Sequence, residues 1–151
     1  MKEKDVIRVY VDTNVLINYC TGQSKDKAAV LHLSKKRSRE SLFTSSLAVV
    51  QTVSALQSAG KNNRKAYSRE QTIQKLNKIL PKFTLLDLTE SDITESFALV
   101  DSNDIEDCVH YVISQKRHCD AIVTNDKKGF DKFKNIEVYG TDIDILKTDI
   151  Q

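Results

Sequence analysis

Short apolar runs rich in β-branched residues constrain the fold of this chain more than any other feature. The run at residues 6–11 is broken only by Arg8, and the run at residues 121–123 is apolar throughout. Runs of this kind are typical of strands that are covered on both faces within a parallel sheet. Weaker strand candidates lie at residues 42–44, 83–88 and 138–139, so the pattern predicts a sheet of four or five strands.

Segments in which apolar residues recur at helical spacing separate these runs. The clearest segment covers residues 104–116, where apolar side chains fall at i, i+3, i+4, i+7 and i+8. Strands that alternate with helices in this way predict a three-layer α/β/α sandwich around a central, mainly parallel sheet. Further helices are predicted between Asp12 and Gly22, from Ala28 to the basic residues at 35–39, between Ser45 and Gly60, over residues 64–80 and over residues 89–100.

The composition is that of one globular domain. The chain has 151 residues, of which 40% are hydrophobic and 29% charged, and these values predict a single domain over residues 1–151. No apolar run approaches the ~20 residues that cross a bilayer. We therefore expect a cytoplasmic protein without a membrane partner.

Cysteine and histidine positions do not indicate a zinc site. The three cysteines, Cys20, Cys108 and Cys119, are odd in number and lack C-x-x-C spacing, so neither a disulfide framework nor a zinc site is expected. Free cysteines are usually buried, and we expect the same here. None of the three histidines has a partner at the spacing of metal ligands.

The net charge of +2 is too small to identify a nucleic-acid-binding protein. Basic residues nevertheless form two clusters, at residues 35–39 and 61–69. These clusters could contact phosphates through release of counterions. Solvated helix ends and loops explain them equally well.

Two aspartates follow apolar strands directly and are the first candidates for a functional site. Asp12 follows the run at residues 6–11, and Asp126 follows the run at residues 121–123 after a short polar turn. Ligands of an open parallel sheet bind beyond the carboxyl ends of its strands. Asp104 and Asp107 lie three residues apart in the first turn of a predicted helix and therefore project from one side of it.

Converging, partly buried carboxylates repel one another unless a cation binds. Mg²⁺ or Mn²⁺ fits such a site because both ions prefer oxygen ligands and retain bound waters. Each aspartate taken alone also has a structural explanation, since Asp104 can simply cap a helix and Asp12 or Asp126 can be turn residues. The combination of three acidic junctions in one fold, with Asn14, Thr124 and Asn125 beside them, favours a functional site.

The motifs around these acids resemble those of the PIN domain family. They are V-D-T-N-V at residues 11–15, D-I-E-D at 104–107 and A-I-V-T-N-D-K-K-G-F at 121–130. The resemblance covers nearly the whole chain in order and spacing. It implies a PIN-like α/β/α fold and a metal-dependent ribonuclease, and many such proteins are the toxins of bacterial toxin–antitoxin pairs.

The resemblance also implies a role for each matching residue. Asp12, Asp104 and Asp126 would be the catalytic, metal-binding acids, and Asp107 an auxiliary ligand or an outer-shell acid. Three further residues would support these acids. Asn14 would orient Asp12, Thr124 would brace the turn, and Asn125 would assist beside it. At one position the chain departs from the family pattern, because Gln51 stands where the family usually has a glutamate. Gln51 is neutral, so the site would bind a divalent ion more weakly.

These observations leave three functional hypotheses. The first is a Mg²⁺- or Mn²⁺-dependent ribonuclease that acts on single-stranded or structured RNA, with an antitoxin protein and a second copy of the chain as expected partners. The second is an inactive domain that binds RNA or protein, and it is suggested by the neutral Gln51 in place of the usual glutamate. The third is a phosphatase with Asp12 as nucleophile, which requires a second aspartate two residues later, where this chain has Asn14.

Overall fold

The computed structural model describes residues 7–60, 62–99 and 104–150. Within these residues five strands alternate with eight α-helices. The strands are β1 (Val9–Val11), β2 (Leu42–Ser45), β3 (Thr84–Leu86), β4 (Ala121–Val123) and β5 (Glu137–Tyr139). The helices are α1 (Thr13–Cys20), α2 (Ser24–Lys36), α3 (Ser46–Leu56), α4 (Arg69–Ile79), α5 (Glu90–Phe97), α6 (Ile105–Gln115), α7 (Lys127–Phe130) and α8 (Ile143–Asp149).

The strands form one parallel sheet in the order β3-β2-β1-β4-β5. The chain moves outward from β1 to β2 and β3, then returns to the other side of β1 with β4 and β5. The strand order therefore reverses between β1 and β4, where Val11 pairs with Val123. A crevice opens at such a reversal, beyond the carboxyl ends of the two strands, and Asp12 and Asp126 lie beyond those ends.

Both faces of the sheet are covered by helices, as the apolar strands predict. Val9 and Val11 pack into one core cluster with residues of α1, α2, α3, α4 and α8. Tyr10 points to the other face and packs into a second cluster with residues of α6 and α7. Side chains alternate in this way because the period of a strand is two residues. The prediction of a three-layer α/β/α sandwich with a parallel sheet is confirmed.

The ends of several helices differ from the sequence predictions. The helix expected over residues 64–80 begins only at Arg69, because Ser68 and Gln71 form a capping box at its start. The helix expected to reach Gly60 ends at Leu56. The helix that begins after Asp12 stops before Gly22, as predicted, and the φ of +83° at Gly22 is a conformation that glycine adopts easily.

Parts of the other sequence predictions can also be compared with the structure. Val6 and Val100, expected in a strand and a helix, lie outside the described residues. The short helices α7 and α8 were not predicted. Cys20, Cys108 and Cys119 are free and buried, as expected. In the described part of the chain, all helices lack the length and apolarity that crossing a membrane requires.

Candidate functional site

Asp12 lies at the junction of β1 and α1 and is held by three hydrogen bonds. The residue is only 5% exposed. The Thr13 backbone N–H donates to Oδ1 at 2.8 Å, which makes Asp12 the N-cap of α1. The Thr124 hydroxyl donates to Oδ2 at 2.8 Å, and the Asn14 side-chain amide donates to the same oxygen at 3.3 Å. Both oxygens of this carboxylate are therefore fixed by their neighbours.

The turn after β4 places Asp126 beside Asp12. The Asp126 backbone N–H donates to the Thr124 hydroxyl oxygen at 3.0 Å, so Thr124 contacts both acids of the crevice. The side chain of Asp126 caps α7 by accepting from the Gly129 N–H at 3.3 Å. The prediction that strand order brings Asp12 and Asp126 together agrees with these contacts.

Asp107 is the acid of the site that lies in the first turn of α6. It is half-buried, and its Oδ2 atom has no hydrogen-bond partner among the described residues. Burial, together with the negative charges of Asp104, Asp12 and Asp126, raises the pKa of Asp107 from 3.8 to about 7, against the opposing effect of Lys132. A buried carboxylate oxygen of this kind favours either a proton or a cation.

Gly129 leaves the space into which two carboxylates converge. A Cβ atom added at Gly129 would lie within 2.8 Å of both Asp107 Oδ2 and Asp126 Oδ2. Any side chain at this position would therefore collide with both oxygens. The absence of a side chain lets the acids of α6 and of the β4–α7 turn approach a common point.

Asp104 has a different environment from Asp107. It is exposed and is the N-cap of α6, where its Oδ1 atom accepts from the Asp107 N–H at 3.2 Å. The negative charge of Asp104 acts on Asp107. Of the two aspartates in D-I-E-D, Asp107 is therefore the one that the fold directs into the crevice, and Asp104 lies at its rim.

Gln51 and His110 form a buried polar contact beside Asp12. The Gln51 Oε1 atom accepts from the Thr13 hydroxyl at 2.7 Å and lies 2.9 Å from His110 Nε2. His110 is 2% exposed, and its other ring nitrogen lies 2.7 Å from the Tyr10 hydroxyl. His110 Nε2 also lies 3.7 Å from Asp12 Oδ1.

Burial lowers the pKa of His110, while the nearby charges of Asp12, Glu106 and Asp104 oppose this effect. The sequence patterns did not predict a role for His110, because it has no partner at the spacing of zinc ligands. A signal was available, since His110 follows Asp107 by three residues on α6 and must share its face.

These side chains line a cavity of about 460 Å³ that is open to solvent. Asp12, Gln51, Asp107 and His110 contribute to its walls together with a further acid of α6, Glu106, and neutral residues of α1, α3 and the segment after α3 complete them. Asn14 reaches the same cavity, whereas Thr124 and Asn125 support it from behind. The predicted supporting residues therefore all contact the acid site or its immediate neighbours.

The donor set fits a hard divalent cation. In the ranges that the structure describes, no group of three or more His, Cys, Asp and Glu side chains is arranged as a metal site. The Asp107 oxygen without a partner among the described residues and the convergence of Asp107 and Asp126 at Gly129 nevertheless offer two carboxylates to such an ion. Carboxylate oxygens are the ligands that Mg²⁺ and Mn²⁺ prefer.

Comparisons with known proteins give consistent results. The model of the PIN domain family matches residues 9–136, and no curated protein matches the sequence. DNA-bound VapBC from Salmonella typhimurium gives a TM-score of 0.68 at 13% identity, covering 90% of this chain and 99% of that chain. A toxin–antitoxin complex from Klebsiella pneumoniae gives 0.61 at 18% identity, covering 85% and 94%. VapC20 from Mycobacterium tuberculosis, a sarcin-ricin loop cleaving toxin, gives 0.60 at 12% identity, covering 85% and 98%.

Proposed function

Because the chain belongs to the PIN domain family, whose members are nucleases, we propose that it is a metal-dependent endoribonuclease and the toxin of a toxin–antitoxin pair. The observation that supports this proposal most is Asp107, a half-buried acid with one oxygen that has no hydrogen-bond partner in the described part of the chain and is directed toward a second carboxylate. A carboxylate in this environment is stable in its charged form only when a cation neutralises it. RNA is the proposed substrate, and the cytoplasm is the proposed location.

Three acids would hold the ion, namely Asp12, Asp107 and Asp126, with Asp104 at the rim as an outer acid. A bound Mg²⁺ or Mn²⁺ would activate a water molecule and stabilise negative charge on the phosphate. The protein's own contribution is orientation. Thr124 and Asn14 fix the Asp12 carboxylate, and Gly129 leaves the space in which Asp107 and Asp126 meet.

The similar structures support the choice of substrate and partner. VapC20 from Mycobacterium tuberculosis is a toxin that cleaves the sarcin-ricin loop, and the Klebsiella pneumoniae structure is a toxin–antitoxin complex. We extend both properties to this chain as parts of the proposal, with an antitoxin protein as partner. A homodimer is a further proposal that these structures leave open.

A second candidate function is an inactive domain that binds RNA or protein. Gln51 favours it, because its Oε1 atom is engaged by Thr13 and His110 and adds no negative charge to the site. The two candidates differ in what they require of the acids. Cleavage requires Asp12, Asp107 and Asp126 to bind an ion, whereas a binding module does not.

The decisive experiment compares the purified protein with its Asp12→Asn variant on a labelled single-stranded RNA in Mn²⁺. We expect cleavage by the parent protein, loss of cleavage in EDTA and loss of cleavage in Asp12→Asn. The Asn side chain preserves the size of Asp12, so circular dichroism should show an unchanged fold. Intact RNA in the presence of folded parent protein, across several RNAs and both ions, would refute the ribonuclease proposal and favour the binding module.

A further inference from the structure

Asp26 is a buried acid that the sequence motifs do not include. It lies in the first turn of α2 and is 3% exposed. Its Oδ2 atom accepts a hydrogen bond of 3.0 Å from the side-chain amide of Asn125, in the turn after β4. The negative charge of Asp26 is favoured at the N-terminal end of a helix. A second helix is thereby joined to the turn that carries Asp126.

The side chain of Asn125 is held at both ends. Its Nδ2 atom donates to Asp26, and its Oδ1 atom accepts from the Thr141 hydroxyl at 3.2 Å. Thr141 is fully buried. Because the amide group is fixed on two sides, the backbone of Asn125 is fixed with it, although the residue lies at the surface of the turn.

The backbone N–H of Asn125 determines how Asn14 is oriented. It donates to Asn14 Oδ1 at 3.0 Å. With its oxygen engaged there, Asn14 must turn its NH₂ group the other way, toward Asp12 Oδ2 at 3.3 Å and the Thr124 hydroxyl oxygen at 3.3 Å. A reversed amide would set two N–H groups against each other.

From these contacts we infer that Asp26 is a positioning residue of the acid site, acting on Asp12 through Asn125 and Asn14. The same contacts hold the turn from which Asp126 projects, so Asp26 sets the spacing of Asp12 and Asp126. This inference rests on the proposed nuclease function for its consequence in catalysis. The hydrogen-bond relay itself is independent of that function.

The test compares Asp26→Ala with Asp26→Asn and with a matched control. Asn keeps an oxygen that can accept from Asn125, whereas Ala removes it. Asp92→Ala is the control, because Asp92 is also a buried first-turn acid, but its partners are Thr89 and Lys116 rather than residues of the acid site. Thermal unfolding of each variant gives the temperature at which all remain folded.

We expect Asp26→Ala to lower kcat and Mn²⁺ affinity by about tenfold, the usual effect of removing a partner that orients a metal ligand. KM for RNA should stay within about twofold, because Asp26 does not face the cavity. Asp26→Asn should recover most of both values, and Asp92→Ala should leave both unchanged. Equal kcat and Mn²⁺ affinity in Asp26→Ala and Asp92→Ala would overturn the inference.

Hydrogen exchange separates failure of this inference from failure of the proposed function. If both the parent protein and Asp12→Asn leave RNA intact, the nuclease proposal fails, yet the Asn125 amide still reports on the relay. We expect this amide to exchange about tenfold faster in Asp26→Ala than in the parent protein, an increase that Asp92→Ala lacks. Unchanged protection of the Asn125 amide in Asp26→Ala would refute the relay.

Discussion

Replacing Asp107 with Asn should stabilise the protein in the absence of metal and remove its stabilisation by metal. In the folded chain burial and neighbouring acids raise the pKa of Asp107 from 3.8 to about 7. This difference corresponds to about 4 kcal/mol of unfavourable free energy for the ionised group. Asp107 is only half-buried, so screening by solvent reduces the expected effect to about 2 kcal/mol.

The pH dependence follows from the direction of the pKa shift. A carboxyl group whose pKa is raised on folding contributes its full stability below the unfolded pKa, and that contribution is lost as the pH rises to the folded pKa. The parent protein should therefore lose stability between about pH 4 and pH 7 through this group. Asp107→Asn has no ionisable group here, so its advantage over the parent protein should be absent at pH 4 and complete at pH 8.

Differential scanning calorimetry in EDTA, and again in Mn²⁺, tests both parts of the prediction. At pH 8 without metal we expect Asp107→Asn to melt roughly 4–8 °C above the parent protein, the shift expected for about 2 kcal/mol in a chain of this size. Mn²⁺ should raise the melting temperature of the parent protein but not that of the variant. Asp104→Asn is the control, because it preserves a good N-cap at an exposed position. A metal-free Asp107→Asn that is no more stable than the parent protein at pH 8 would show that burial and the neighbouring acids do not destabilise the ionised Asp107 carboxylate, and would refute the prediction.

Two further substitutions test the walls of the site. Gly129→Ala should weaken Mn²⁺ binding by about tenfold or more, because its Cβ atom would push apart the Asp107 and Asp126 carboxylates. Calorimetric titration measures the Mn²⁺ affinity of both proteins. Unchanged affinity would show that the two acids do not share an ion. Gln51→Glu should raise both Mn²⁺ affinity and the rate of RNA cleavage, since it adds a negative charge beside Asp12. Equal cleavage by Gln51→Glu and the parent protein would remove the basis for the inactive-domain hypothesis.

The sheet and the two junction acids could be predicted from sequence because each depends on local patterns. Apolar runs covered on both faces identify the strands, and strand order then brings Asp12 and Asp126 to one edge. The start of α4 was predicted wrongly, because apolar spacing was followed back to residue 64 although Ser68 and Gln71 carry the signal of a capping box. Helix α7 has four residues and α8 has seven, so neither is long enough for a helical period to emerge.

The supporting residues of the site could not be predicted in the same way. Asp26 and Asn125 are 99 positions apart, and no periodicity connects a side chain of α2 with a turn after β4. Gly129 matters for the space that it leaves, which only the surrounding atoms define. The different environments of Asp104 and Asp107 were likewise hidden, since spacing alone assigns both to one side of a helix.

Both oxygens of Asp12 are held by the protein, whereas one oxygen of Asp107 has no partner among the described residues, and this difference determines where a cation is stabilised most. Both oxygens of Asp12 accept hydrogen bonds, so Asp12 is already positioned before an ion arrives. Asp107 Oδ2 accepts none from the described residues and faces Asp126, so a cation gains most of its electrostatic stabilisation there. Gln51, whose oxygen is already engaged, contributes no charge to that stabilisation. Loss of Asp107 should therefore reduce ion affinity more than loss of the exposed Asp104, although both belong to the same motif.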